Sequence, residues 1–256
     1  MKLIDTHCHL NDEALYKDLD NVISRALKTG VEKMIVIGWD EDSSKLAIKI
    51  AESYPFIYAC VGFHPENLDG VTEDDLQRVL ELSKHPKVVG IGEIGLDYHW
   101  EKDPAKREIQ KEFFIKQIEY ANKVGLPISI HSREAFNDTL EILKEHKPLH
   151  SGVMHCYSGS VDNIKNIINL NLYIGLDGPV TFKNAKTPKE VAAEISLEKL
   201  VLETDSPYLS PHPLRGTVNE PANLIMIADE IATIRDMSKK HLLEVVYDNS
   251  CRLFNL

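Results

Sequence analysis

Two histidines separated by one residue, His7 and His9, follow the apolar Leu3 near the start of the chain. In an extended strand alternate residues share a face and lie about 7 Å apart, so this pair presents two imidazoles side by side to one metal ion. Ligand-type side chains recur in the same way at four other places. Val89, Ile91 and Glu93 share a parity, as do Ser129 and His131, Val153 and His155, and Val201, Glu203 and Asp205. The imidazoles of His7, His9, His131 and His155 and the carboxylates of Glu93 and Asp205 suit Zn, Mn, Fe or Ni, and Mg where water completes the shell. Six ligands exceed one tetrahedral site. Two ions that share a carboxylate use all six, and a pair about 3.5–4 Å apart can activate a water and clamp a phosphoryl group. Left unpaired in a core, the same residues would carry a heavy desolvation cost. Asp5 and Glu203 fall one pleat below the ligands, where they orient imidazoles or form a buried pair. Cys8 and Cys156 adjoin ligands with opposite parity, which assigns them to packing on the outer face.

Such a site needs a scaffold that gathers five strand ends. Eight β-branched or apolar runs are present: Leu3 to His9, Lys33 to Ile37, Ile57 to Gly62, Val88 to Glu93, Pro127 to His131, Gly152 to His155, Leu172 to Leu176 and Leu200 to Asp205. Helical spacing lies between them, in Leu19, Val22, Ile23, Ala26 and Leu27, and less cleanly from Ile109 through Phe113, Gln117, Tyr120 and Ala121 to Val124. Asp103-Pro104, Thr187-Pro188 and Glu220-Pro221 place proline near helix starts, the first two behind a capping residue, and Ser160 and Ser238 are N-cap candidates. Strand and helix alternating eight times predict one (β/α)8 TIM barrel over residues 1–256, with the site at the C-terminal ends of the strands. An open doubly wound sheet is the structural alternative. Its Gly-rich fingerprint is absent, since GIGEIG at Gly90 to Gly95 carries Glu93 where a pyrophosphate would be repelled.

The chain has 256 residues, 43% apolar and 27% charged, which fits a globular protein rather than a disordered or fibrous one. Its 29 Lys and Arg against 40 Asp and Glu give a formal net charge of −11. That excludes nucleic-acid binding through a broadly basic surface, but not through a single basic groove or bound metal. No apolar run is long enough to span a bilayer, and MKLIDTHCHL lacks the apolar core of a signal peptide, so a cytoplasmic location is expected. Cys8, Cys60, Cys156 and Cys251 are widely spaced and read as reduced thiols.

Eight segments, DTHCHLND (Asp5 to Asp12), GFHPE (Gly62 to Glu66), GEIGLDYHW (Gly92 to Trp100), HSREA (His131 to Ala135), MHCYSGS (Met154 to Ser160), GPVTFKNA (Gly178 to Ala185), ETDSPYLSP (Glu203 to Pro211) and LRGTVNEP (Leu214 to Pro221), resemble the TatD family of metal-dependent deoxyribonucleases nearly end to end. The HxH pair alone is shared by many amidohydrolases, whereas the ordered set is specific. The resemblance implies a barrel holding two divalent cations (Mg, Mn or Zn) and hydrolysing DNA phosphodiesters, as a 3′-to-5′ exonuclease on single-stranded DNA. By matching motif it places His7, His9 and Asp205 on one metal and His131 and His155 on the other, with Glu93 bridging. A glutamate on the fourth strand resembles this family more than phosphotriesterase-like sites, where a carboxylated lysine commonly bridges.

For the chemistry, Asp205 is expected to accept the proton of the attacking water, while a metal-bound water or His64 assists the leaving oxygen; His64 alternatively binds the substrate phosphate or is purely structural. Lys102, Arg133, Lys183, Lys186 and Arg215, with Tyr98, Trp100, Tyr157, Phe182 and Tyr208, lie in the loops after the strands and offer phosphate contacts and stacking surfaces for unpaired bases. Arg133 and Arg215 are the expected phosphate contacts. A hydrolase of a small ester, lactone or amide would use the same ligands, because a metal-activated water attacks carbonyl and phosphoryl centres alike. A non-catalytic protein holding metal for stability would need fewer ligands and a closed shell.

Overall fold

The computed structural model describes residues 2–256. Eight parallel strands follow one another in sequence order: β1 (Leu3–Cys8), β2 (Val31–Ile37), β3 (Ile57–Val61), β4 (Val88–Asp97), β5 (Ile128–Arg133), β6 (Gly152–Met154), β7 (Leu172–Leu176) and β8 (Leu200–Leu202). Helices fill the crossovers, making a (β/α)8 TIM barrel. The ring closes beyond the end of β8. Thr6 Oγ1 donates to the Leu202 carbonyl (3.0 Å), Asp205 N to the His7 carbonyl (2.9 Å) and His9 N to the Ser206 carbonyl (2.7 Å).

Apolar side chains sort into two clusters. Ile35, Ile37, Cys60, Val153, Tyr173 and Val201 come from the strands and pack with Leu253 and Phe254 of the helix Lys239–Phe254. The larger cluster joins the other strand faces to the helices. Simple alternation does not hold throughout, and the faces of β1 and β4 differ from those expected. Leu3 and Ile91 belong to the cluster with the helices rather than to the face that carries the histidines and Glu93. The cause is irregular register: β1 shifts between Leu3 and Ile4 and again between Asp5 and Cys8, and β4 shifts against β3 near Val88 and against β5 between Ile91 and Ile94. Each extra residue resets the parity. The strand also continues four residues past Glu93, to Asp97.

The helix Pro104–Val124 holds two of the loops that reach the site. Asp103 caps it by accepting from Ala105 N (2.9 Å), Pro104 occupies its first turn, and Gly125 ends it at φ 79°. Its buried face is Gln110, Phe113, Phe114, Gln117, Ile118, Tyr120 and Ala121, whereas Ile109 and Val124 of the sequence pattern face solvent. Gln117 accepts from Phe63 N (2.8 Å) and donates to the Phe63 carbonyl (3.1 Å). Seven residues earlier, Gln110 accepts from Asp97 N (3.0 Å) and donates to the Pro65 carbonyl (3.2 Å). One helix face thus fixes the backbone on either side of His64 and at the end of β4. Elsewhere Ser238 caps as expected, accepting from His241 N. Thr187 is itself the first residue of its helix, with Lys186 ahead of it, and Ser160 precedes a short 3-10 turn without capping it.

Replacing Gln117 by Leu leaves the Phe63 amide and carbonyl buried without partners. A loss of roughly 1–3 kcal/mol for each unsatisfied group is expected in urea unfolding, and an unchanged midpoint would contradict this role.

Candidate metal centre

The six predicted ligands converge at the mouth of the barrel. His7 Nε2 lies 3.3 Å from His9 Nε2, 3.3 Å from Glu93 Oε2 and 3.7 Å from Asp205 Oδ1. His9 Nε2 is 3.4 Å from Asp205 Oδ1 and 3.9 Å from Glu93 Oε2. On the other side of Glu93, Oε1 is 2.8 Å from His131 Nδ1 and 3.6 Å from His155 Nε2. Donor atoms about 2.0–2.2 Å from a divalent cation stand about 3–3.5 Å from one another; the contacts of 3.3, 3.3 and 3.4 Å match such shell edges, and the others, between 2.8 and 3.9 Å, lie within a few tenths of an ångström of them. His7, His9 and Asp205 form one such group, and His7, Glu93 and His155 another.

Each imidazole directs one nitrogen inward and ties the other outward. His9 Nδ1 lies 3.3 Å from the Ile37 carbonyl, His7 Nδ1 3.3 Å from Ser129 Oγ, His155 Nδ1 2.9 Å from Glu203 Oε1 and His131 Nε2 2.9 Å from Asp97 Oδ2. Such partners fix ring orientation and tautomer and raise ligand basicity. Glu203 fills the orienting place expected of it and also accepts from Cys156 N (2.5 Å). Asp5 does not touch an imidazole, contrary to one of its two expected roles. It accepts from His7 N, Thr204 N and Thr204 Oγ1, and so braces β1 against the segment after β8. Nor does it pair with Glu203. Asp97 was not anticipated, although it follows Glu93 and Gly95 at a spacing of two; only the continuation of β4 makes it a partner for His131.

The backbone turns where the ligands leave the strands. Asp205 has φ 54° and Cys156 φ 42°, left-handed conformations uncommon for non-glycine residues. The turn at Cys156 breaks the alternation of β6, and Cys156 lines the central cavity instead of packing on the outer face as its parity predicted. Cys8 is buried, its thiol donating to the Ile35 carbonyl. All four cysteines are unpaired.

The cavity has a volume of about 680 Å³ and opens over the ligand cluster. His64, Glu93, His131, Arg133, Asp205 and Tyr208 are among its walls. His64 Nδ1 accepts from Glu66 N (3.2 Å), which leaves the proton on Nε2, 3.6 Å from Glu93 Oε1. In this tautomer His64 is a donor into the cavity, while His64, Glu93 and His131 also form a third group whose ligand atoms lie close enough together to hold a cation. Arg133 is exposed, with its guanidinium 5.7 Å from the Trp100 ring. Arg215 lies outside the central cavity, packed 4.1 Å from the Phe182 ring in a neighbouring depression that Lys183 also lines. Lys102 is tied to the Tyr98 carbonyl and Glu134, and Lys186 to Glu190. Tyr98 and Tyr157 are buried with their hydroxyls bonded to Asp138 and the Ser160 carbonyl, which makes them packing residues, whereas Trp100 and Tyr208 are exposed.

Burial opposes ionisation throughout the cluster, but the opposite charges prevail. Burial would raise Glu93 and Asp205, yet His155 and the neighbouring imidazoles hold both below the usual carboxylate range. Burial likewise opposes the His131 cation, but Asp97 and Glu93 outweigh it and move its pKa up to about 9. His155 is pushed well up against burial by Glu203, Glu93 and Asp205. His64, buried beside His131, is driven down to about 3 and stays neutral.

Residues 4–255 match the family described as TatD related DNase. The chain belongs to this family. It is 46% identical over 255 residues to YabD of Bacillus subtilis, described as an uncharacterized metal-dependent hydrolase, with 99% of each chain covered. YcfH of Escherichia coli K12, described in the same words, is 34% identical over 262 residues, covering 100% of this chain and 97% of the relative. The crystal structure of the E. coli K12 TatD homologue YJJV superposes with a TM-score of 0.94 at 30% identity, covering 99% of this chain and 98% of that one. The chain is therefore a metal-dependent hydrolase by family, and its clusters of His, Glu and Asp are able to bind metal. Among the described residues no helix is long and apolar enough to cross a membrane.

Two outcomes are expected. Asp97→Asn, which weakens the hold on His131, should reduce affinity for a divalent cation about 10–100-fold in competition with a chromogenic chelator. In the metal-free protein the raised His131 pKa means that its ion pairs stabilise fully below the unfolded value of about 6.5 and are lost as pH rises to about 9. Divalent-cation affinity should increase over the same interval, because the ligand must be neutral. Calorimetric titration at pH 6.5, 7.5 and 8.5 checks this, and flat affinity would contradict it.

Proposed function

We propose that this protein hydrolyses DNA phosphodiesters as a 3′-to-5′ exonuclease on single strands, with two divalent cations held on either side of Glu93. The observation that carries the reading is the placement of the Glu93 carboxylate. One oxygen faces His7 and His9 and the other faces His131 and His155, at the base of a cavity open to solvent. His7, His9 and Asp205 would hold one cation and His131 and His155 the other, with Glu93 between them. Such cations supply Lewis acidity, a lowered pKa for water and positive charge for the phosphoryl oxygens. The family description as a DNase supports nucleic acid as the substrate.

The protein groups divide the remaining work. Asp205, ionised and facing the cavity, accepts the proton of the attacking water. The water oxygen forms the new bond to phosphorus, the bond from phosphorus to the 3′ oxygen of the preceding nucleotide breaks, and that oxygen takes a proton from solvent water to leave as the 3′ hydroxyl. His64 directs its Nε2 proton toward the reacting centre and hydrogen-bonds a phosphoryl or leaving oxygen there. A neutral imidazole is the appropriate donor beside cations, since a second positive charge would be repelled. Arg133 at the cavity rim contacts a phosphate, and the exposed Tyr208 ring offers a surface for the terminal base.

The test uses single-stranded oligonucleotides labelled at either end, with Mg²⁺ or Mn²⁺ and with EDTA. Shortening from the 3′ end is expected, abolished by EDTA and reduced at least about 10³-fold by Glu93→Ala. His64→Gln should lower kcat by about 10²-fold with little change in KM, consistent with loss of a positioned donor. A metal-loaded wild type that leaves every strand intact would reject the nuclease and direct assays to small esters, lactones and amides.

A further inference from the structure

Beside the central cavity, the loops after β7 and β8 enclose a second depression of about 440 Å³, lined by Phe182, Lys183, Asn184, Ala185, His212 and Arg215. It continues the same rim. Pro179 and Leu209 line the central cavity, and Phe182 and His212 follow each of them by three residues. The loops are locked together between the two places, with His212 N donating to Thr181 Oγ1 (2.7 Å). Gly178 packs so closely on the Leu209 carbonyl that a Cβ there would lie 1.7 Å from it. The depression is therefore held by its own loop contacts.

Its chemistry differs from that of the acidic metal centre. No carboxylate is among its walls, and among the described residues neither Lys183 nor Arg215 forms an ion pair, in a protein of formal net charge −11. Elsewhere most of the cations near the loops are neutralised, as Lys102 is by Glu134 and Lys186 by Glu190. The Arg215 guanidinium lies 4.1 Å from the centre of the Phe182 ring. This contact orders a long side chain and leaves its N–H edges for an acceptor. Two uncompensated cations beside an aromatic wall and an asparagine amide match a phosphate joined to a planar base.

We propose that this depression is a second, non-catalytic site that holds a nucleotide of a single-stranded DNA substrate away from the bond being cut. Arg215 and Lys183 contact its backbone phosphate, and Phe182 with the guanidinium plane supports the base. The inference rests on the nuclease reading for the identity of the ligand. It makes strand length a determinant of affinity, because a dinucleotide reaching the metal centre leaves the second site empty while a longer strand fills both.

Fluorescence anisotropy of a 5′-labelled eight-nucleotide oligodeoxythymidine in EDTA separates binding from cleavage. Wild type is compared with Arg215→Gln and Lys183→Gln, each checked for an unchanged melting temperature. The expected result is at least tenfold weaker binding in each variant and a shallower dependence on salt, by about 0.7 in the log–log slope per phosphate contact removed. The wild type should also bind the eight-nucleotide strand at least tenfold more tightly than a dinucleotide, an advantage that the double variant loses. Equal affinity in wild type and variants, a length advantage that survives in the double variant, or no strand binding by wild type would overturn the second site. Cleavage of the same oligonucleotide with Mn²⁺ is read separately. If Arg215-dependent binding persists without cleavage, the nuclease reading fails, and the depression stands as a strand-binding site but not as a substrate subsite.

Discussion

Two ionised carboxylates buried among imidazoles at one end of a barrel impose the condition that the rest of this structure meets. Glu93, buried, and Asp205, partly buried, lose hydration there and regain stabilisation from positive charge placed around them. Protons on His131 and His155 serve in the metal-free protein, and divalent cations would serve better. With the proposed ligands the same groups would be compensated either by protons or by metal, so that cation binding would release protons. The outward ties of the four imidazoles keep this exchange from requiring movement of the rings.

Those ties reach deep into the fold. Glu203 reaches His155 from the segment after β8, and the space for its carboxylate exists because Gly175 on β7 has no side chain; a Cβ there would lie 2.5 Å from Glu203 Oε2. Asp97 reaches His131 because Gln110 fixes the backbone at the end of β4. Gln117 holds the residue before His64 through both of its backbone groups. A helix on the outside of the barrel therefore holds the backbone beside His64 and at Asp97, whose side chains lie at the candidate metal centre. These polar contacts are buried and paired, so disturbing one would expose a cost at a distance from the metal centre.

The eight strands and the convergence of the six candidate ligands were legible because apolar runs and their polar ends recur with the period of a parallel barrel. The parity of Val153, His155, Val201 and Asp205 survives in three dimensions. What alternation missed has a common origin in local irregularity. Register shifts in β1 and β4 turned Leu3 and Ile91 toward the helices, and the left-handed turn at Cys156 brought that residue to the cavity. Asp5 and Glu203 looked equivalent in sequence, since both precede ligands by two residues, yet only Glu203 meets an imidazole. Which atom a carboxylate reaches depends on neighbouring strands that one segment cannot specify. Arg215 likewise carries its charge where the loop sequence suggested, but beside the cavity instead of within it.

The hydrogen bonds that join β1 to the segment after β8 link residues nearly two hundred positions apart. They also bring His7 and His9 to Asp205, so the last seam of the barrel and the metal centre form together. Contacts of such long sequence separation are slow to assemble. A partly folded chain can complete seven neighbouring strand pairings and still lack a competent ligand cluster. Cations captured by the closed ring would then draw the population toward it by mass action, and the supply of metal would influence how much of the newly made chain reaches its final form.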